Sequence, residues 1–317
     1  MPVACLSKPL VFRLNIAKRC PYIIKFPQFD TPSQKSSSGF GCTRVHPYIG
    51  PYVNLLLKMQ TVLFHETIFG PIHSRRLGTS LGVNLSPTDG KVCTFDCLYC
   101  EAGYNAQGPG TTGLPSREQV REQLEHRLKE MHANGDRLDV ITFSGNGEPT
   151  AHPQFAGVID DTIALRDRYF PGVKISVLAN STQLHRPDVV EALCRVDNNI
   201  LKLDSAVEDT MRALDRPASP AFTVAKVLDQ LAAFPGKLII QTMQTRGTHG
   251  GRTVDNTTEA ERRALIDAYV RIRPASVMLY SIDRRTPEQS LEKVPREDLE
   301  SFAARITAAT GIPVSVA

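Results

Sequence analysis

From Met59 onward, short runs rich in aliphatic and β-branched residues alternate with stretches whose apolar positions recur every three or four residues. The runs predict six strands: 81–85 (LGVNL), 138–143 (LDVITF), 174–179 (KISVLA), 199–203 (NILKL), 237–242 (KLIIQT) and 275–282 (ASVMLYSI). The periodic stretches predict helices. In SREQVREQLEHRLKEMHANG, Ser116 suits the N-cap and Gln119 completes a capping box. Val120, Leu124, Leu128 and Met131 share one face, and Gly135 ends the helix. Further helices are predicted around Phe155, Ile159 and Ile163, from Pro187 in a first turn, and over 207–214, 222–233, 258–271 and 296–309.

Strands alternating with helices predict a parallel sheet with right-handed crossovers, either open and doubly wound or curled into an incomplete barrel. In both forms ligands gather where the strands end. The chemically unusual residues fall there: a cysteine loop after the first strand, SGNGEPT after the second, NST after the third, Asp204 after the fourth, Gln241 and Thr242 closing the fifth, and DRR after the sixth.

Composition narrows the class. With 317 residues, 41% hydrophobic and 22% charged, the chain has a globular make-up and is not a disordered polymer. Seven unevenly spaced cysteines do not form a disulfide scaffold, and the N-terminus lacks a signal-peptide pattern, so a reducing, cytoplasmic setting is expected. The apolar stretch NLLLKM is far below the roughly 18 residues a spanning helix needs, so no membrane span is expected. The net charge of +4 divides unevenly: residues 1–58 carry +7 and the remainder −3. The basic segment has seven prolines and the linker-like TPSQKSSSGFG. It is expected to be an extension outside the folded core, either an organelle-type presequence or upstream sequence joined to a body that starts at Met59. The domain expected to carry the chemistry is 59–317. Its charge lacks the broad basic footprint of a tight tRNA binder, so nucleic-acid modification is possible but not favoured.

The segment KVCTFDCLYCEAG holds Cys93, Cys97 and Cys100. Structural zinc would need a second Cys or His pair, which is missing, and plant-type ferredoxins have four residues in the first gap. A four-iron cluster ordinarily takes four thiolates, so a compact set of three implies an iron with an open position, which is a catalytic feature. Cys194, four residues after Val190 on a helix face, is expected to be a small buried core residue rather than a fourth ligand. Cys5, Cys20 and Cys42 are isolated and receive no ligand role.

Cys93-x3-Cys97-x2-Cys100, with Tyr99 before the last cysteine, resembles the signature of the radical S-adenosylmethionine (radical SAM) enzymes. The order of six strand–helix units is similar to that superfamily's partial (βα)6 barrel. FGPIHSRRLGTSLGVNL and ITFSGNGEPTAHP resemble the branch grouped with wyosine-type tRNA-modifying synthases. The resemblance implies a [4Fe-4S] cluster on the three cysteines, with S-adenosylmethionine chelating the open iron through its amino and carboxylate groups. It implies one-electron cleavage to methionine and a 5′-deoxyadenosyl radical, which abstracts hydrogen from an unknown substrate. A low-potential electron donor such as flavodoxin or ferredoxin would be the partner.

The same resemblance implies cofactor-binding roles. Tyr99 lies in the cysteine motif. Gly145, Gly147 and Glu148 match the family's Gly-Gly-Glu-Pro stretch, which holds the cofactor's amino group; Asn146 departs from it. Asn180 and Ser181 fall where the family binds ribose, or form a turn. Lys202 would meet the cofactor carboxylate with Asp204 orienting it, or the two form a structural ion pair, and Gln241 has similar status. TRGTHGGRT and Ser281-Ile282-Asp283-Arg284-Arg285 around the mouth suit an anionic substrate, or are solvated surface, as is Ser74-Arg75-Arg76. His73 is taken as structural. Auxiliary clusters are not expected, since no cysteine follows residue 194. A second class is a non-catalytic metal-clip or electron-transfer protein on the same fold, which would not require Glu148, Asn180 or Lys202.

Overall fold

A computed structural model of the chain describes residues 62–74 and 77–317. The basic segment 1–58 and the pair Arg75–Arg76 lie outside the described residues. Six parallel strands appear where the periodicity places them: β2 (Gly78–Val83), β3 (Val140–Phe143), β4 (Lys174–Ala179), β5 (Asn198–Lys202), β6 (Ile239–His249) and β8 (Ser276–Ser281). They lie side by side in that order. Strand β1 (Ile68–Ser74) adds antiparallel to β2, and β10 (Val314–Val316) adds parallel to β8, so these two form the edges of an unclosed sheet. The fold is α/β, a mostly parallel incomplete barrel.

Register explains the core. Leu81 lies opposite Ile141 and Ile141 opposite Ile175, while Leu201 lies opposite Ile240 and Ile240 opposite Val277. The result is an apolar row on the face that the helices cover. The next residues along the strands face inward and are less buried: Leu178, Lys202, Met278 and Tyr280 keep partial exposure beside fully buried Val177, Leu201 and Leu279. The inner face is therefore mixed, with buried Thr142, Ser176, Ile200 and Gln241 beside these partly exposed side chains.

The helices follow their sequence signals. Helix α1 (Arg117–Asn134) begins with the expected capping box: Gln119 N–H donates to Ser116 Oγ at 3.2 Å, and Ser116 N–H donates to Gln119 Oε1 at 2.7 Å. Gly135 ends it in the left-handed region, φ 70°. Helices α2 (Phe155–Tyr169), α3 (Pro187–Arg195), α4 (Glu208–Leu214), α5 (Val224–Ala232), α6 (Glu259–Ile272) and α7 (Arg296–Thr310) complete the set among the described residues. None of these helices is long and apolar enough to cross a membrane.

Two departures from the sequence expectation shape the site. Strand β6 continues past residue 242 to His249, and its upper half pairs antiparallel with β7 (Arg252–Asp255) and with β9 (Glu292–Lys293). The stretch Thr245–His249 is polar on both faces, so it carries no alternating signal. Strand β1 was also unforeseen. Its Gly70–Pro71 pair interrupts the pattern, and the register shifts between Phe69 and Ile72.

Candidate functional site

The cysteine loop leaves β2 and is laced from two sides. On the inner side Val92 forms a parallel bridge with Gly147, and Glu148 N–H donates to Val92 C=O at 3.1 Å. A Cβ at position 147 would lie 1.8 Å from that carbonyl oxygen, so only glycine allows the approach. On the outer side residues 214–218 run as a strap along the loop. Ala218 N–H donates to Thr94 C=O at 2.9 Å, Asp96 N–H to Asp215 C=O at 3.1 Å, and Leu98 N–H to Leu214 C=O at 3.0 Å. Asn105 closes the loop by donating from Nδ2 to the carbonyls of Cys93 and Phe95 at 3.2 and 3.1 Å.

Within this lacing Cys97 is buried, and Cys93 and Cys100 are half-buried. Burial pushes the Cys93 thiol up to about 12, with the Glu148 charge adding to it. Burial, then Asp215, holds Cys97 well above the usual thiol range. Cys100 raises both neighbours, so the three sulfurs share one electrostatic environment. Phe95 N–H and Asn180 Nδ2 donate to Cys93 Sγ at 3.5 and 3.7 Å. Among the described residues, no three Cys, His, Asp or Glu side chains are arranged about one point for a single metal ion.

Glu148, only 4% exposed, connects the second and third strand ends. Its Oε2 accepts from Asn180 N–H at 2.7 Å, and its Oε1 accepts from Thr150 N–H at 3.0 Å and from the Thr150 hydroxyl. Burial raises its pKa, against these hydrogen bonds and the Lys202 charge. Asn180 Nδ2 donates to Thr94 Oγ1 at 2.8 Å, and Thr182 N–H donates to Asn180 Oδ1 at 3.1 Å. Ser181 stands in the left-handed region, φ 71°, and its hydroxyl donates to Lys202 C=O at 3.0 Å. Gly145 lies close against Asn84 Oδ1, where a Cβ would come within 2.5 Å of that oxygen. Asn146, the departure from the family pattern, is fully buried. Its Oδ1 accepts from Phe64 N–H at 2.8 Å, and its Nδ2 donates to Phe64 C=O and Pro87 C=O, each at 2.9 Å. That role requires an amide side chain and leaves the neighbouring glycines free for close approach.

A second polar group lies across the inner face. Lys202 Nζ donates to Tyr99 Oη and to Asp204 Oδ2, the latter at 3.2 Å, and stands 4.8 Å from the centre of the Tyr99 ring. Tyr99 Oη donates to Asp204 Oδ2 and lies 3.4 Å from Asp215 Oδ1. Met243 N–H donates to Asp204 Oδ1 at 2.8 Å, and Cys97 Sγ donates to Asp215 Oδ1 at 3.6 Å. Burial works against the Lys202 ammonium, yet Asp204 leads the groups that outweigh it and hold its pKa above the usual lysine range. Burial, then the Asp204 charge, pushes both Tyr99 and Asp215 upward. Gln241 Nε2 donates to Tyr280 Oη at 2.8 Å, while its buried Oε1 has no partner.

The three cysteines, Gly145, Gly147, Ser181 and Gln241 thus sit at or beside the C-terminal strand ends; there Glu148 and Asn180 form one polar group that reaches Cys93, and Tyr99, Lys202 and Asp204 form a second that reaches Cys97 through Asp215. The rim arginines are less available than expected: Arg284 pairs with Glu101, and Arg246 with Glu292 at 3.2 Å. Cys194 is a correction. It is exposed on α3, whose buried stripe is Val189, Ala192 and Leu193, and it faces Gly236 just before β6 starts, at the opposite rim from the cysteine loop. Asp215, Thr94, Thr182 and Asn256 were missed. Asn256 is fully buried, donating to Asp204 C=O at 2.8 Å and to Met243 C=O at 2.6 Å. The one available signal was Asp215 in LDRP, a charged pair before a proline that stops α4.

A family model described as the Radical SAM superfamily matches residues 88–235. The chain is 26% identical over 263 residues to a protein named GTPase Obg from Brachyspira hyodysenteriae, covering 82% of this chain and 36% of that one. It is 33% identical over 180 residues to a UPF0026 protein from Methanocaldococcus jannaschii, covering 55% and 53%. The chain therefore spans between 36% and 66% of the length of the first three curated relatives it matches. Among solved structures, TYW1 with a lysine-pyruvate adduct bound superposes with a TM-score of 0.52 at 16% identity, covering 74% of this chain and 75% of that one, a likeness of fold.

Proposed function

This chain belongs to the radical SAM superfamily of enzymes, and from that premise we propose that Cys93, Cys97 and Cys100 hold a [4Fe-4S] cluster to which S-adenosylmethionine binds. The carrying observation is the charge of the pocket wall. Three buried acidic side chains, Glu148, Asp204 and Asp215, stand against two ammonium groups, half-buried Lys202 and buried Lys91, around thiols whose ionisation burial opposes. Such a surplus of buried acidic groups is costly without a cation. Iron supplies positive charge to the thiolates, and the cofactor brings a sulfonium and an ammonium to the carboxylates. A cluster also gives each thiolate an iron of its own, so the sulfurs need not converge on one point.

In this reading Glu148 and the backbone beside Gly147 receive the cofactor amino group. Lys202, steadied by Asp204 and Tyr99, meets its carboxylate. Asn180, Ser181 and Gln241 contribute hydroxyl and amide groups for the ribose side. When bound, cluster and cofactor supply a one-electron bond cleavage whose product takes hydrogen from an unactivated carbon. Residues 59–317 are taken as the unit that carries this chemistry, with a low-potential flavodoxin or ferredoxin as electron source. Their charge of −3 disfavours tRNA as the substrate.

Anaerobic reconstitution tests the proposal. The protein should bind about four irons and four sulfides per chain, and dithionite-reduced protein should release 5′-deoxyadenosine from S-adenosylmethionine. An intact cluster that never yields 5′-deoxyadenosine would transfer the assignment to an electron carrier.

A further inference from the structure

The strap behind the cysteine loop contains a conformational oddity. Arg216 has φ 49°, in the left-handed region that a glycine would occupy at far lower strain. Strain at a non-glycine residue persists where its side chain is required. Here the guanidinium reaches Asp96 Oδ2 at 3.1 Å and lies over the Tyr104 ring, 5.1 Å from its centre. The Arg216 carbonyl shares the Asp96 N–H at 3.2 Å. Asp96, immediately before Cys97, also accepts from Asn105 N–H at 2.6 Å and stands 3.8 Å from Lys91 Nζ, which itself donates to Gly103 C=O at 2.7 Å. One carboxylate thus gathers both ends of the loop and the strap.

Stability alone is a weak reason for this pair, because partly exposed ion pairs contribute little. Its position matters more. Asp96 is covalently next to one proposed ligand and is bonded through Asn105 to the carbonyl side of another, Cys93. Net charge and hydrogen bonding around a cluster set its reduction potential. Building on the cluster assignment above, we infer that Asp96 and Arg216 are positioning residues that fix the cysteine loop and set the reduction potential of the centre it binds. The arginine cancels the field of a carboxylate that the loop needs for its shape.

The test is a charge cycle on anaerobically reconstituted protein. Iron is assayed chemically, and the potential is taken from a redox titration followed by electron paramagnetic resonance of the reduced cluster. Arg216→Gln should keep its iron and shift the midpoint downward, since it removes one positive charge and leaves Asp96 with only Lys91 as counter-charge, which disfavours electron entry. Asp96→Asn, which still accepts from Asn105, should shift it upward. The double variant should return near the wild-type value, and Arg216→Lys should stay close to it. If both single variants shift in one direction, shift nothing, or lose their iron alike, the pair is only structural and the inference falls. A wild-type protein that binds no iron would instead defeat the cluster assignment itself.

Discussion

The barrel core and the small apolar cluster beneath the cysteine loop are built by different means. The core draws alternate positions from successive strands and one stripe from each long helix, as with Leu81, Ile141, Phe143, Phe155, Ile159 and Leu265. The cluster takes Phe95, Leu98 and Tyr99 from one loop, Leu214 from a helix end, Met243 from a strand, Val254 from a hairpin and Leu291 from a distant turn. The core is almost wholly apolar, and its Tyr269 hydroxyl is paired with Thr242 Oγ1 at 2.7 Å. The cluster is crossed by Lys202, Asp204 and Asp215, held through mutual hydrogen bonds. A region made from periodic elements can lose a side chain and pay in stability, whereas one made from converging loops loses arrangement. Substitutions should therefore separate the two regions by readout.

The largest effect is expected at the thiols. Alanine at Cys93, Cys97 or Cys100 should reduce iron from about four per chain to nearly none, while Cys194→Ala should leave it unchanged; iron loss in the Cys194 variant would contradict the assignment. Next comes the core. Phe143→Ala should cost about 3–5 kcal/mol in urea unfolding, with iron per folded molecule preserved. Cluster loss ahead of unfolding would show that the two regions are not separable.

Lys202→Met should cost about 3 kcal/mol, because it strands the buried Asp204 carboxylate. Adding Asp204→Asn should recover part of that in a double-mutant cycle, and strictly additive losses would refute the coupling.

A smaller effect is a pH slope. Burial raises the Glu148 pKa, so the folded protein holds that proton more tightly than the unfolded chain. Its contribution is complete below the ordinary glutamate value, about pH 4, and is lost as pH rises through the raised native value. Glu148→Gln should therefore lose less stability than wild type between those limits, as read from urea midpoints at each pH. An unchanged slope would place the proton elsewhere. Smallest is Ser116→Ala, which should cost about 1 kcal/mol through the lost cap with no change in iron.

The same division governs what could be read in advance. Strand β4 and helix α1 match their predicted limits because hydrophobic period, cap and terminal glycine all act locally and agree. Cys93, Glu148, Asn180, Lys202 and Asp204 could be placed at one rim in advance because parallel topology brings strand ends together. Asp215 and Asn256 could not, since each reaches the site from a segment without periodicity. Asp215 arrives from the strap and Asn256 from the turn after β7, and only tertiary pairing gives either a role. Cys194 was misplaced for a related reason: spacing from Val190 put it on a helix face, but that face is only partly covered.

Asn146 links two places 82 residues apart, since its side chain satisfies both backbone groups of Phe64 while its own peptide forms part of the Gly145–Glu148 loop. The Phe64 amide can exchange with solvent only when that loop lets go. Its hydrogen-exchange rate is thus a remote gauge of the loop's opening, readable without any substrate in hand, and a molecule that settles against Glu148 should slow it.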